Sequence, residues 1–162
     1  MKTSWRKLQL VFVVVAAALL ATGALAKGGS NPMIGTWKLN PAKSKFTPGP
    51  GPKSLTVKIE PAGKGVKVTA EGVDSEDKPF ATEFTANYDG KDYPITGSQM
   101  AETVSLKRTG PRTARRIDKK DGKVVQTANR VIAKDGKSYT FTAKGKNAKG
   151  QRYHNVQVYD RQ

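Results

Sequence analysis

Two arginines, Arg115 and Arg130, stand on stretches that alternate apolar and polar residues. That alternation marks strands with one buried face. A guanidinium on the buried side is costly unless something anionic meets it. The chemistry on offer is recognition of an anionic group. For Arg115, an internal carboxylate or a place at a rim with its head in water would serve equally well. Bond-making chemistry has little support. His154 is the only histidine and there is no cysteine. Beside Tyr153 on a strand, His154 is expected to face solvent or pair locally. No serine occupies a Gly-x-Ser-x-Gly turn, so no nucleophile–His–acid set is available. No cluster offers a metal site. Asp74, Glu76 and Asp77 lack the ligand spacing and terminal Glu of an EF-hand and read as a solvated acidic loop. We expect no catalytic residue, no metal and no cofactor.

The elements that must position these side chains are strands. Ile34 to Leu39 is the first. Asn40 to Lys53 carries Pro41, Pro48, Pro50 and Pro52 with Gly49 and Gly51, so it reads as a long extended loop. Leu55, Val57 and Ile59 share one face and Thr56, Lys58 and Glu60 the other; Val66, Val68 and Ala70 oppose Lys67, Thr69 and Glu71. Phe80, Thr82, Phe84, Ala86 and Tyr88 form the next inward face. Lys91 to Thr96, with Pro94, suits an edge or bulge. Thr103 to Arg108, Arg112 to Lys119, Lys123 to Ala133, Lys137 to Lys144 and Arg152 to Asp160 complete about ten strands. Asp-Gly-Lys recurs at Asp89, Asp121 and Asp135, and Asp-Gly tolerates the left-handed backbone of tight hairpins. Short sequential connections favour an all-β, antiparallel up-and-down barrel over a two-layer sandwich.

Register decides which arginine looks inward. With two-residue turns at the last two Asp-Gly sites, Arg115, Ile117, Gln126, Arg130, Ile132, Tyr139 and Phe141 share one side. With three-residue bulged turns at both, the middle strand flips to present Val125, Thr127, Asn129 and Val131. Arg115 and Ile117 stay with Tyr139 and Phe141 in both cases, because two one-residue slips cancel. Arg115 is therefore expected inside, and Arg130 inside in one register.

The first 26 residues read as a secretory signal. Lys2, Arg6 and Lys7 precede an apolar run from Leu8 to Leu20, and Ala24-Leu25-Ala26 has the form of a peptidase site. Residues 27–33 read as a flexible start, and 34–162 as a single domain that folds on its apolar core without disulfides. The expected location is periplasmic or secreted, with no transmembrane segment after signal removal. Lys and Arg number 29 against 13 acidic residues, a formal charge of +16. Such a balance favours lipopolysaccharide, anionic glycans, phospholipid headgroups or nucleic acid, although a solvated basic surface needs no partner. The lysines are spread along the chain. No RNA-binding signature is present, and an inhibitor of cationic lysozymes would need acidic surface.

Ile34-Gly35-Thr36-Trp37-Lys38-Leu39 resembles the Gly-x-Trp opening of the calycins, the lipocalin and fatty-acid-binding-protein families. Val156-Gln157-Val158-Tyr159-Asp160-Arg161 resembles their closing strand. The resemblance implies a closed barrel in which Arg161 packs over Trp37 and seals one end, a cation–π contact. It also implies a role as a ligand carrier. Two departures stand out. The helical lid of the fatty-acid-binding proteins is replaced by the Pro-Gly loop. Their Arg-x-Tyr pair on the last strand is matched by Gln157 and Tyr159, which bring no charge, so a fatty-acid carboxylate is not implied. The expected function is non-enzymatic binding of a small hydrophobic or amphipathic ligand, with an anionic group as the use for an inward arginine. Phe80, Phe84, Arg115, Arg130, Tyr139, Phe141, Gln157 and Tyr159 are the expected lining. The alternative is a basic envelope-surface module that binds anionic envelope polymers through its exterior.

Overall fold

A computed structural model describes residues 31–147 and 149–162. The expected signal segment, 1–26, lies outside the described residues. Ten strands follow in order: β1 Gly35–Leu39, β2 Ser54–Ala62, β3 Gly65–Val73, β4 Pro79–Ala86, β5 Asp89–Thr96, β6 Thr103–Gly110, β7 Thr113–Lys120, β8 Lys123–Ile132, β9 Ser138–Lys146 and β10 Arg152–Arg161. Each pairs antiparallel with the next, and β10 returns to pair with β1, closing a barrel. Closure removes the free edges that an open sheet of this size would expose. The one helical piece among the described residues is a 3-10 turn, Pro41–Lys43.

The period-two pattern maps onto the wall as expected. Val57 faces Ala70 across β2 and β3, and Ile59 faces Val68, which faces Phe84 on β4. All lie in one apolar core with Val66, Val104 and Ile132. Charged residues on the outward face of β2 to β4 pair there, Lys58 with Glu60 at 2.9 Å and Lys67 with Glu83 at 3.0 Å.

The three Asp-Gly-Lys copies are used differently. Asp121 and Gly122 both take positive φ (49° and 70°) between facing residues Lys120 and Lys123, a two-residue hairpin turn. At the third copy the loop spans Lys134 to Lys137, with Gly136 N–H donating to the Ala133 carbonyl at 3.0 Å. The first copy is no turn. Asp89 and Gly90 lie inside β5, where the ladder to β6 is irregular. There the Asp89 carboxylate accepts from Lys91 N–H at 3.0 Å and from the Tyr93 hydroxyl at 2.8 Å. The left-handed glycine serves a bulge instead of a hairpin.

The Pro-Gly loop is extended, and it is also fastened. Lys45 exchanges backbone hydrogen bonds with Val156 (2.7 and 2.8 Å), and His154 N–H donates to the Thr47 carbonyl at 2.7 Å. The loop thus continues the edge of β10 beyond β1. Phe46 packs against the core from it. Its ring lies on Gly51, where a Cβ would fall 2.3 Å from ring carbons.

Candidate ligand cavity

One end of the barrel is sealed by a stack. Trp37 is fully buried, and its indole N–H donates to the Met33 carbonyl at 3.1 Å. The Arg161 guanidinium lies 4.1 Å from the Trp37 ring centroid, as Trp37 and Arg161 face each other across β1 and β10. The same guanidinium donates to the carbonyls of Gly136, Ile34 and Pro32 at 2.8, 2.8 and 2.9 Å. The expectation of a flexible start through residue 33 does not describe residues 31–33. Met33 is fully buried and its N–H is held by the Asn31 side chain at 3.1 Å.

Above the seal the stack continues. Tyr139 meets Trp37 edge-on at 4.9 Å and stacks on Tyr159 at 4.5 Å. The Arg130 guanidinium sits 4.8 Å from the Tyr139 centroid and 5.6 Å from that of Phe141. Beyond it opens a cavity of about 230 Å³ walled by β2, β3, β4 and β7 to β10, room for roughly seven waters. Phe80, Phe84, Arg130, Tyr139, Phe141, Gln157 and Tyr159 all border it, with Leu55, Val57, Val68, Ala70 and Thr82.

Arg115 does not. It is exposed on the outer wall, and Arg116 borders the cavity in its place. The reason is a single slip. The Asp121-Gly122 turn sets Lys120 against Lys123, but the ladder shifts one residue between Asp118 and Lys119, so Asp118 faces Gln126 and Arg116 faces Ala128. No second slip follows, since Ala128 faces Ala143 and Arg130 faces Phe141 in the register of an even-length loop. One slip cannot cancel, so β7 presents Ala114, Arg116 and Asp118 inward. Ile117, which made the other face look apolar, turns outward.

Arg116 brings its own counter-charge. Its Nε donates to both Asp118 oxygens at 2.8 and 3.1 Å, and the Asp118 side chain is 2% exposed. Gln126 donates its amide to the same carboxylate, and the Tyr153 hydroxyl donates to the Gln126 carbonyl oxygen at 2.7 Å. An Arg-x-Asp pair on one strand face was the signal for this cluster. Arg116 also lies 5.0 Å from the Phe84 centroid. Arg130 has no such partner. Among the described residues it makes no ion pair, and its Nε is buried without a hydrogen bond.

Three phenols around this interior are held protonated. Burial pushes Tyr139 up to about 12. Burial, and then the Asp118 carboxylate, take Tyr153 to about 12 as well. Tyr159 is raised well above the ordinary phenol value by burial, with the Tyr139 hydroxyl adding to it. At neutral pH they are hydrogen-bond donors; Tyr159 donates to Gln157 at 2.5 Å. In the unfolded chain these protons leave near pH 10. Stability is therefore full below about pH 10 and falls as pH rises toward 12. Unfolding free energies from urea denaturation at pH 9 and pH 11 should differ by about 1 kcal/mol for Tyr139 alone, and Tyr139→Phe should remove that share of the fall.

The remaining chemistry-bearing residues lie elsewhere. His154 is exposed on the outer wall. Asp74 accepts from the backbone of Glu76 and Lys78, Lys78 pairs with Glu76 at 2.7 Å, and Lys53 pairs with Asp77. Among the described residues no group of three His, Cys, Asp or Glu is placed to hold a metal, and no helix is long and apolar enough to cross a membrane.

The chain is thus a closed antiparallel meander sealed by an early tryptophan and a late arginine. This is the closed barrel, with Arg161 over Trp37, that the sequence resemblance implied. The chain is similar to zebrafish ileal bile acid-binding protein, solved in complex with cholic acid, at 12% identity over 81% of this chain and 99% of that one, with a TM-score of 0.48. It is also similar to the siderocalin Ex-FABP, described as functioning through dual ligand specificities, at 12% identity over 81% of this chain and 71% of that one, with a TM-score of 0.36. No protein-family model matches the chain, and no curated protein does. Likenesses this distant say nothing of its ligand.

Proposed function

We propose that the protein is a non-enzymatic, exported binding barrel whose interior takes a small, partly apolar molecule with an anionic group set against Arg130. The observation that carries this reading is the buried, unpartnered Arg130 Nε at the edge of a cavity with aromatic walls. Arg116 is balanced by Asp118, so the interior holds one cation in excess. A lone guanidinium in a poorly solvated place is costly, and an incoming anion offsets that cost. Phe80, Phe84, Phe141 and Tyr159 supply the apolar contact, while Gln157 and Thr82 offer neutral polar groups. The cavity, at about 230 Å³, is smaller than the usual ligand site, which favours a compact ring or short chain over a large steroid. The basic leader with its apolar run and Ala24-Leu25-Ala26 supports export.

The test is calorimetric titration with 2-naphthoate and with its neutral isostere 2-naphthamide. The carboxylate should bind at one site per chain and at least about tenfold more tightly than the amide, the worth of one charge-assisted hydrogen bond. Equal affinities would remove the anionic group from the proposal, and no binding of either would remove the proposal itself.

A further inference from the structure

The outer wall of β6 to β10 differs from the rest of the surface. Lys107 faces Arg115 across β6 and β7, and that row continues through Asn129 to Thr142. The next row outward runs from Ile117 through Thr127 and Lys144 to His154. Lys146 then faces Arg152. Lys107, Arg115, Lys144, Lys146 and Arg152 are all exposed. Among the described residues none of the five makes an ion pair, whereas the lysines on β2 and β3 have carboxylate partners. Two of the facing pairs, Lys107 with Arg115 and Lys146 with Arg152, set like charges opposite each other, which destabilises a sheet. At the end of this wall β8 and β9 part beyond Gln126 and Gly145. They leave an open groove of about 730 Å³ bordered by Lys144, Lys146, Arg152 and His154, with no carboxylate among its lining residues.

We propose that this wall binds an acidic polysaccharide, laid across the strands from Lys107 and Arg115 to the groove at Lys146 and Arg152. Strands lie about 4.8 Å apart, so five of them offer a track of roughly 20 Å. Along it, cations alternate with the short hydroxyl and amide groups of Asn129, Thr142 and Thr127, which suit a hydroxyl-rich chain carrying spaced anions. A single-stranded nucleic acid would want aromatic faces for its bases. The exposed large apolar residues among those described are Met100, Val124 and Val131, none of them aromatic, and the Tyr153 hydroxyl is committed to Gln126. The proposal stands independently of the interior cavity.

The test titrates the protein with heparin and with polygalacturonate over a range of salt, beside oligo(dT) and phosphatidylglycerol vesicles. Arg115→Glu with Lys144→Glu is compared with Lys58→Glu with Lys67→Glu, which reverses the same charge on the opposite wall. The first pair should weaken binding of at least one glycan by about tenfold or more and lower the log–log salt slope by about two, one for each cation removed from the track. The second should change it less than about threefold. Arg115→Glu meets Lys107 with opposite charge, so that variant should melt no lower than the parent. Equal losses from both pairs would reduce the effect to net charge and overturn the proposal. So would tighter binding of oligo(dT) or vesicles than of either glycan, or no glycan binding at moderate salt.

Discussion

Trp37→Ala is expected to lower the free energy of unfolding by about 3–5 kcal/mol, the cost of emptying a well-packed tryptophan site. Trp37 is fully buried and holds three neighbours at once. Its N–H fixes the Met33 carbonyl, its ring makes a T-shaped contact with Tyr139, and its face carries Arg161. Arg161 cannot collapse into the space, because it is itself tied to three backbone carbonyls. The seam between β1 and β10 is also short, with Trp37, Lys38 and Leu39 its paired residues on β1. The loss should therefore appear as opening of this end of the barrel. Urea denaturation followed by circular dichroism checks the magnitude. Amide exchange at Leu39 and Tyr159 should rise before exchange in β3 and β4. A loss below about 1 kcal/mol would show that the seal is not a main source of stability.

Arg130→Met is the second large expectation, and its sign differs between two readouts. Affinity for 2-naphthoate should fall by about ten- to a hundredfold, since a hydrogen bond to a charged group is worth about 1.5–3 kcal/mol. Affinity for 2-naphthamide should stay within about threefold. Stability should not fall. Methionine keeps apolar contact with Tyr139 and Phe141 and removes a half-buried cation that has no carboxylate partner among the described residues. A residue with a merely structural role would give the opposite pair of results, lower stability and equal loss for both ligands. Arg116→Met is the contrast. It strands Asp118, whose remaining side-chain partner is Gln126, and should destabilise the chain.

The barrel was legible because strands with one buried face write their period directly into the sequence. Val57 with Ile59 and Val68 with Ala70 have no helical reading, and the Trp37 and Arg161 ends carried the closure. The aromatic part of the cavity was legible for the same reason: Phe80, Phe84, Tyr139 and Phe141 are large, and a core needs them inside. The arginines were harder. Which of Arg115 and Arg116 turns inward depends on one extra residue in β8 between the turn at Asp121-Gly122 and the facing pair of Asp118 and Gln126. A bulge of this kind follows from packing around the Asp118 cluster, not from turn residues. Turn chemistry alone therefore put the slip in the wrong place. Ile117 strengthened the error, since an apolar residue on an outer wall breaks the alternation. Phe46 and Met33 were hidden for a different reason. Both sit in segments whose Pro, Gly and Ser content signals loop, and loops are folded by the surface they lie on.

The interior, and not only the basic exterior, is proposed to receive a ligand. Amide and side-chain NMR shifts during titration with 2-naphthoate test it most directly. Saturable shifts are expected, with intermolecular contacts to Phe84, Tyr139 and Phe141 and a displaced Arg130 Nε–H resonance. Shifts confined to Arg115, Lys144 and Arg152 on the outer wall, with the Arg130 and Tyr139 signals unmoved at saturation, would contradict it.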